Sequence, residues 1–226
     1  EEKYYTEKII KLSNIWSTHS GFDLGRNYQE PPLLKNKYIT FGSFNNFMKI
    51  SNEVIDTWSK ILKKVNNSRL ILKSSEKYNY KVLMGKFEKY GVDHMVQILD
   101  KKNFEKTEDH LNLYNKIDIA LDTFPYTGVT TTFEALWMGV PVVSLKGHNF
   151  KSRCGESILK NANLNFLICS NKNEYIKKVY DLSNDTNRLI EIRKDIFNNI
   201  LETDLFNNKK YLFQFEKILL QKYKNI

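Results

Sequence analysis

The stretch LDTFPYTGVTTTFEALWMGVPVVSL, residues 121–145, carries the reading on which the fold depends. It begins inside an apolar run, IDIALDT at 117–123, with little of the polar alternation of a half-exposed strand, so this strand is expected to be covered on both faces. Pro125 then interrupts the chain. Gly128 permits a close approach of backbone, and Thr130, Thr131 and Thr132 stand where a helix begins, the position at which hydroxyls satisfy orphan N–H groups. The helix expected over 130–138 passes through Phe133, Leu136 and Trp137 and stops at Gly139, with Pro141 two residues beyond. A second strand, PVVSL at 141–145, follows.

Strand, loop, helix and strand in that order form a parallel βαβ unit. A helix starting at the carboxyl end of a central parallel strand offers free N–H groups and a partial positive charge, a combination that suits a phosphate. The same residues also fit a purely structural role, in which the threonines cap the helix and Gly128 turns the chain. The local sequence leaves both readings open.

The alternation extends on either side. Further strands are predicted at 38–44, 69–74, 95–99 and 166–169, with helices near 51–65, 78–90, 107–115, 153–162 and 172–183. Residues 186–203 and 208–223 read as helices with no further strand. The fold class is therefore α/β, with a Rossmann-like parallel sheet and extra C-terminal helices. Residues 1–37, with GFDLGRNYQEPPLLKNK rich in Gly, Pro and Asn, read as a connector outside the sheet.

Composition narrows the function. The chain has 226 residues, 41% of them hydrophobic, enough for one substantial core. No apolar run is long enough to span a membrane, and EEKYY at the start has no leader pattern; the absent initiator Met suggests a piece of something longer. Cys154 and Cys169 have neither metal-type nor disulfide spacing, which favours a reducing, cytoplasmic setting. The net charge of +9 raises the question of a nucleic-acid partner. Arginine, however, occurs only at Arg26, Arg69, Arg153, Arg188 and Arg193. The lysines fall as scattered pairs beside acidic residues, the pattern of solvated helix faces, so no nucleic-acid partner is expected. Neither GxGxxG nor GxxxxGK[ST] occurs, and HExxH and GxSxG are absent as well, which argues against a dinucleotide enzyme, a P-loop NTPase, a zincin and an α/β-hydrolase.

Three blocks in order, YITFGSFNNFMKIS, DIALDTFPYTGVTTTFEALWMGVPVVSLKG and DLFNNKKYLFQFEKILL, resemble the C-terminal half of the catalytic region of glycosyltransferase family 41. This family includes the O-linked N-acetylglucosamine transferases and the SPINDLY-type O-fucosyltransferases. The resemblance spans about residues 30–223. It implies a GT-B fold, two Rossmann-like domains facing a cleft, of which this chain would be the second, donor-binding one. Residues 1–37 would be a remnant of the first domain and a linker, and 38–226 the nucleotide-sugar domain. In the family an acceptor hydroxyl displaces the nucleoside diphosphate with inversion, and no metal or other cofactor is expected.

The resemblance also assigns residues. Lys49 falls on the lysine that neutralises the departing diphosphate, and Asn46 on a neighbouring polar residue facing the phosphates. His110, eight residues before Asp118, falls on the histidine beside base and ribose. Gly128, Val129, Thr130, Thr131 and Thr132 form the phosphate loop, Glu134 stands at the acidic position that touches the ribose, and Leu72 is counted among the donor contacts; by topology His148 and Arg153 face the same crevice beyond the strand at 141–145, where contact with the donor sugar and a helix-capping or surface role are both open. Some positions depart from the animal enzymes: Thr107 and Leu113 replace basic residues, and Val129 replaces the histidine of GHTT. The SPINDLY-type pattern also lacks that histidine and carries Glu at the later position. The resemblance therefore implies UDP-GlcNAc as donor, with GDP-fucose as the alternative. A GT-B transferase acting on glycans or lipids and a non-catalytic nucleotide-binding module remain further readings. The implied partners are a protein acceptor, the first catalytic domain and helical TPR-type repeats, and the isolated chain is expected to bind nucleotide without efficient transfer.

Overall fold

The computed structural model describes residues 3–223 except 4, 13, 23, 75–79, 101, 103 and 105. Six strands, β1 (Ile39–Ser43), β2 (Ser68–Lys73), β3 (Val96–Leu99), β4 (Ile119–Leu121), β5 (Val142–Leu145) and β6 (Ile168–Cys169), form one sheet in the order β3-β2-β1-β4-β5-β6. Every pairing is parallel. Chain order reverses between β1 and β4, which are both buried along their whole length, as the unalternating apolar runs require. Such a reversal opens a crevice at the carboxyl ends of the two strands.

The helices are α1 (Leu33–Asn36), α2 (Asn52–Lys64), α3 (Tyr80–Glu88), α4 (Thr107–Asn112), α5 (Thr130–Trp137), α6 (Phe150–Asn161), α7 (Lys172–Asn184), α8 (Thr186–Asn199) and α9 (Asn208–Tyr223). Four of them cover the sheet through fully buried side chains such as Trp58 on α2, Leu136 on α5, Ile158 on α6 and Tyr175 on α7, which meet Phe41, Leu70 and Val143 of the strands in one apolar core. Burial of that apolar area is the main stabilising term. Gly139, at φ 75°, ends α5 in the left-handed region, and a Cβ there would stand 3.0 Å from Cβ of Phe197.

The elements expected from residue 38 onward are present, with shifted ends, whereas the helix expected at EKII, residues 7–10, is absent from the described residues. The helix expected from 153 starts at Phe150 because Asn149 and Ser152 form a capping box, Asn149 Oδ1 accepting from the Ser152 amide and Ser152 Oγ from the Asn149 amide. The strand expected over 166–169 shrinks to Ile168–Cys169, since Asn165–Leu167 form a 3₁₀ turn. The helices expected to reach 115 and 203 tighten into 3₁₀ turns at Leu113–Lys116 and Ile200–Glu202. Positions 78 and 79 of the helix expected from 78 lie outside the described residues.

Residues before 38 contribute no described strand, as the Gly- and Pro-rich composition requires. They are nonetheless fastened to the domain. Ile15 is buried, and the His19 amide donates to the Leu205 carbonyl. Arg26 donates to the carbonyls of Trp137 and Phe197, and its guanidinium lies 5.0 and 4.2 Å from those two ring centroids. Stacking with two hydrogen bonds is a use of arginine that lysine cannot reproduce.

Candidate functional site

Side chains from four loops converge at the β1/β4 reversal. The turn after β1 is a short 3₁₀ helix, Phe47–Lys49, capped by Asn46, whose Oδ1 accepts from the Met48 amide. It brings Lys49 across to the loop after β4. There the ammonium donates to the Thr127 carbonyl at 3.0 Å and sits 4.1 Å from the Tyr126 ring centroid. Lys49 is half-buried. Desolvation lowers its pKa from the ordinary lysine value, while the nearby Asp122 carboxylate and Cys154 act in the opposite sense.

Asp122 explains why that loop has a fixed shape. Its buried carboxylate accepts from the amides of Thr123 and Gly128 through Oδ1, at 2.9 and 2.7 Å, and from the Ser144 hydroxyl through Oδ2 at 2.6 Å. Burial pushes its pKa up to about 6, opposed by those three donors and by Lys49. Thr127 is tied in turn to α6, donating to the Lys151 carbonyl and accepting from the Gly155 amide. Gly128 is packed so closely that a Cβ would stand 2.6 Å from Thr131 Oγ1 and 2.9 Å from Thr132 Oγ1.

No side chain caps the first turn of α5. The amides of Thr132 and Phe133 both reach the Val129 carbonyl, whereas the amides of Val129, Thr130 and Thr131 have no partner among the described residues. Three unsatisfied donors at a helix start, with a half-buried ammonium fixed to the carbonyl just before Gly128, make a ready anion site. Thr131 donates its hydroxyl to Asn45 Oδ1 at 3.0 Å, which links this terminus back to the end of β1.

A second group lies beside it. The Tyr114 hydroxyl lies 2.8 Å from Glu134 Oε2 and 3.1 Å from the Thr131 carbonyl, and its single hydrogen is directed mainly to the nearer carboxylate. His110 Nε2 is 3.0 Å from the same Glu134 oxygen, and His110 Nδ1 is 2.8 Å from the Lys73 ammonium at the end of β2. Burial and the neighbouring Glu134 carboxylate hold the Tyr114 phenol well above its ordinary pKa.

Of the residues expected to contact a donor, Lys49, Asn46, Gly128, Val129, Thr130, Thr131, His110 and Glu134 gather around this crevice. Thr132 is buried, its hydroxyl turned towards Gly128. Leu72 does not reach the crevice: it is fully buried in the apolar core, because on β2 the alternate residue, Lys73, points the other way. Arg153 lies along α6 with its Nε 2.8 Å from Glu156, a pairing that also engages Lys160, and His148 is exposed. Leu113, at an expected base-contact position, is fully buried in the core.

Sequence reading missed Asn45, Lys73, Tyr114 and Asp122. A carboxylate closing the buried run IDIALD and a lysine closing RLILK are the unused local signals for Asp122 and Lys73. Roomier concavities, of about 480 and 540 Å³, lie between α6 and α8 and at the amino ends of β1 to β3, and contain none of these groups. Among the described residues no group of three or more His, Cys, Asp or Glu could hold a metal, and no helix is long and apolar enough to cross a membrane.

The sheet order, with an anion-ready crevice at its reversal, defines a Rossmann-like half of a GT-B glycosyltransferase fold. Staphylococcus aureus TarM shares that fold over 96% of this chain and 40% of its own, with a TM-score of 0.63 at 16% identity. The model of glycosyl transferase family 41 matches residues 26–215, and the chain belongs to that family. It is 32% identical over 222 residues to a tomato (Solanum lycopersicum) protein named probable UDP-N-acetylglucosamine–peptide N-acetylglucosaminyltransferase SPINDLY, covering 95% of this chain and 23% of that one. The barley (Hordeum vulgare) counterpart of the same name is 35% identical over 212 residues, covering 92% and 22%. A mutant of Thermobaculum terrenum O-GlcNAc transferase superposes with a TM-score of 0.86 at 30% identity, over 99% of this chain and 42% of that one. The chain thus spans less than a quarter of these plant relatives and about two fifths of the bacterial structure.

Proposed function

We propose that this chain is the nucleotide-sugar-binding domain of an inverting protein O-glycosyltransferase that takes N-acetylglucosamine from UDP-GlcNAc to Ser or Thr. The observation that carries the proposal is the pairing of Lys49 with the uncapped start of α5 across one crevice. In this reading the free amides of Val129, Thr130 and Thr131 hold the diphosphate, and Lys49 faces the charge that grows as the bond from the anomeric carbon to the diphosphate oxygen breaks. Preorganised charge of this kind in a sheltered site is commonly worth several kcal/mol of transition-state stabilisation. Glu134 Oε1, with no hydrogen bond among the described residues, would accept from the ribose. The diphosphate charge is assigned to these groups and not to a metal ion.

GDP-fucose is the second reading. It is favoured by Val129 in the loop and Glu134 after it, a pattern that resembles the SPINDLY-type enzymes. The acceptor-side groups are assigned to another part of a longer protein. Support comes from α9, which buries none of its side chains and leaves Leu212, Phe213, Leu219 and Leu220 exposed, a face suited to the first catalytic domain.

Thermal shift with UDP, GDP and their sugars tests the proposal, because a ligand at a hundred times its dissociation constant stabilises by about 2.7 kcal/mol. A shift with UDP compounds alone supports the first reading and one with GDP compounds alone the second. No shift with either would refute donor binding.

A further inference from the structure

Lys73 is half-buried at the carboxyl end of β2, and nothing in the loop chemistry above requires a cation there. Its ammonium is 2.8 Å from His110 Nδ1. An ammonium has hydrogens to give and no lone pair, so Nδ1 must present its own lone pair and the ring hydrogen resides on Nε2. Nε2 in turn faces Glu134 Oε2 at 3.0 Å, where it donates to the carboxylate. Tyr114 donates to that same oxygen. Phe44 stands edge-on to both rings, with centroids 6.2 and 4.8 Å away, and limits their tilt. Two donors on Oε2 leave Oε1 as the open acceptor, and both His110 nitrogens are committed within the protein.

We infer that Lys73 is a positioning residue for ribose recognition: it fixes the His110 tautomer, His110 and Tyr114 together fix the Glu134 carboxylate, and Oε1 is thereby aimed at the ribose hydroxyls of a nucleoside diphosphate. The inference rests on the donor-site reading above and adds a residue that none of the loop motifs contains. In it, His110 serves the ligand through Glu134, and not through its own nitrogens.

The test compares ribo- and 2′-deoxy-nucleoside diphosphates by calorimetry, using UDP or GDP, whichever binds, on the wild-type chain and on Lys73→Met. A hydrogen bond to a charged acceptor predicts that wild type prefers the ribo form by roughly tenfold or more. Lys73→Met should bring that ratio close to one while still binding diphosphate, and Lys73→Arg should restore part of it. Nitrogen NMR of the His110 ring should show the hydrogen on Nε2 in wild type and a mixed tautomer in Lys73→Met. An unchanged ribo/deoxy ratio in a folded Lys73→Met chain would overturn the inference and leave the donor site intact. A wild type that binds neither diphosphate would overturn the donor site and this inference with it. If Lys73→Met does not fold, the wild-type histidine spectrum decides, and a hydrogen on Nδ1 would overturn the inference.

Discussion

The two ends of the crevice are built differently. At the end proposed for the diphosphate, the groups on offer are backbone amides on a loop that Asp122, Ser144 and Thr127 lace to β5 and α6. At the end proposed for the nucleoside they are side chains, Lys73, His110, Tyr114 and Glu134, arranged by one another. Backbone fixed by a buried carboxylate has one geometry and serves any diphosphate. A relay of side chains can be retuned residue by residue, so on the proposed reading the choice of nucleoside belongs there.

The contrast predicts unequal consequences of substitution. The largest should come at the diphosphate end: Lys49→Ala is expected to weaken UDP or GDP roughly ten- to a hundredfold, the loss of one charge-assisted contact, while leaving nucleoside binding unchanged. Equal losses for nucleoside and diphosphate would remove the distinction between the two ends. Gly128→Ala should follow, because its methyl group meets the two threonine hydroxyls of the next turn. We expect about a tenfold loss of diphosphate affinity with the ribo/deoxy preference retained.

The next effect is on stability. Asp122 and Asp118 are both raised to about 6 by burial from an ordinary 3.8. A carboxyl raised in the folded state contributes stability that is full below pH 3.8 and is lost as pH rises through about 6. Asp122→Asn should therefore flatten the fall in unfolding free energy between about pH 4 and 6, by an amount of order 1–3 kcal/mol. An unaltered slope would show that the carboxylate holding the loop is not titrating there. The smallest effect is expected far from the crevice, where Phe213→Ser and Leu220→Ser on the exposed face of α9 should change the stability of this chain by no more than about 0.5 kcal/mol.

The same contrast explains what could be read from sequence. The strand, loop and helix at the proposed diphosphate end were legible because their signals are local: Pro125, Gly128, three hydroxyls and Gly139 punctuate one short stretch around a strand too apolar to be half-exposed. The order of strands and helices followed from similar local periodicity. Ends of elements were less legible where tertiary contacts set them, as when the Asn149–Ser152 capping box starts α6 earlier than its apolar pattern does. The nucleoside end was legible only through family resemblance, since its members meet across sequence separations of 37 and 24 residues. That is also why Leu72 was assigned to the site when its neighbour Lys73 is the residue that points there. On a strand, an error of one position selects the opposite face.

Amide NMR of the chain during titration with UDP or GDP probes the proposed diphosphate cradle itself. The amides of Val129, Thr130 and Thr131 should shift most, and Lys49→Ala should reduce those shifts. Saturable binding that leaves the three amides unmoved and perturbs another surface would contradict it.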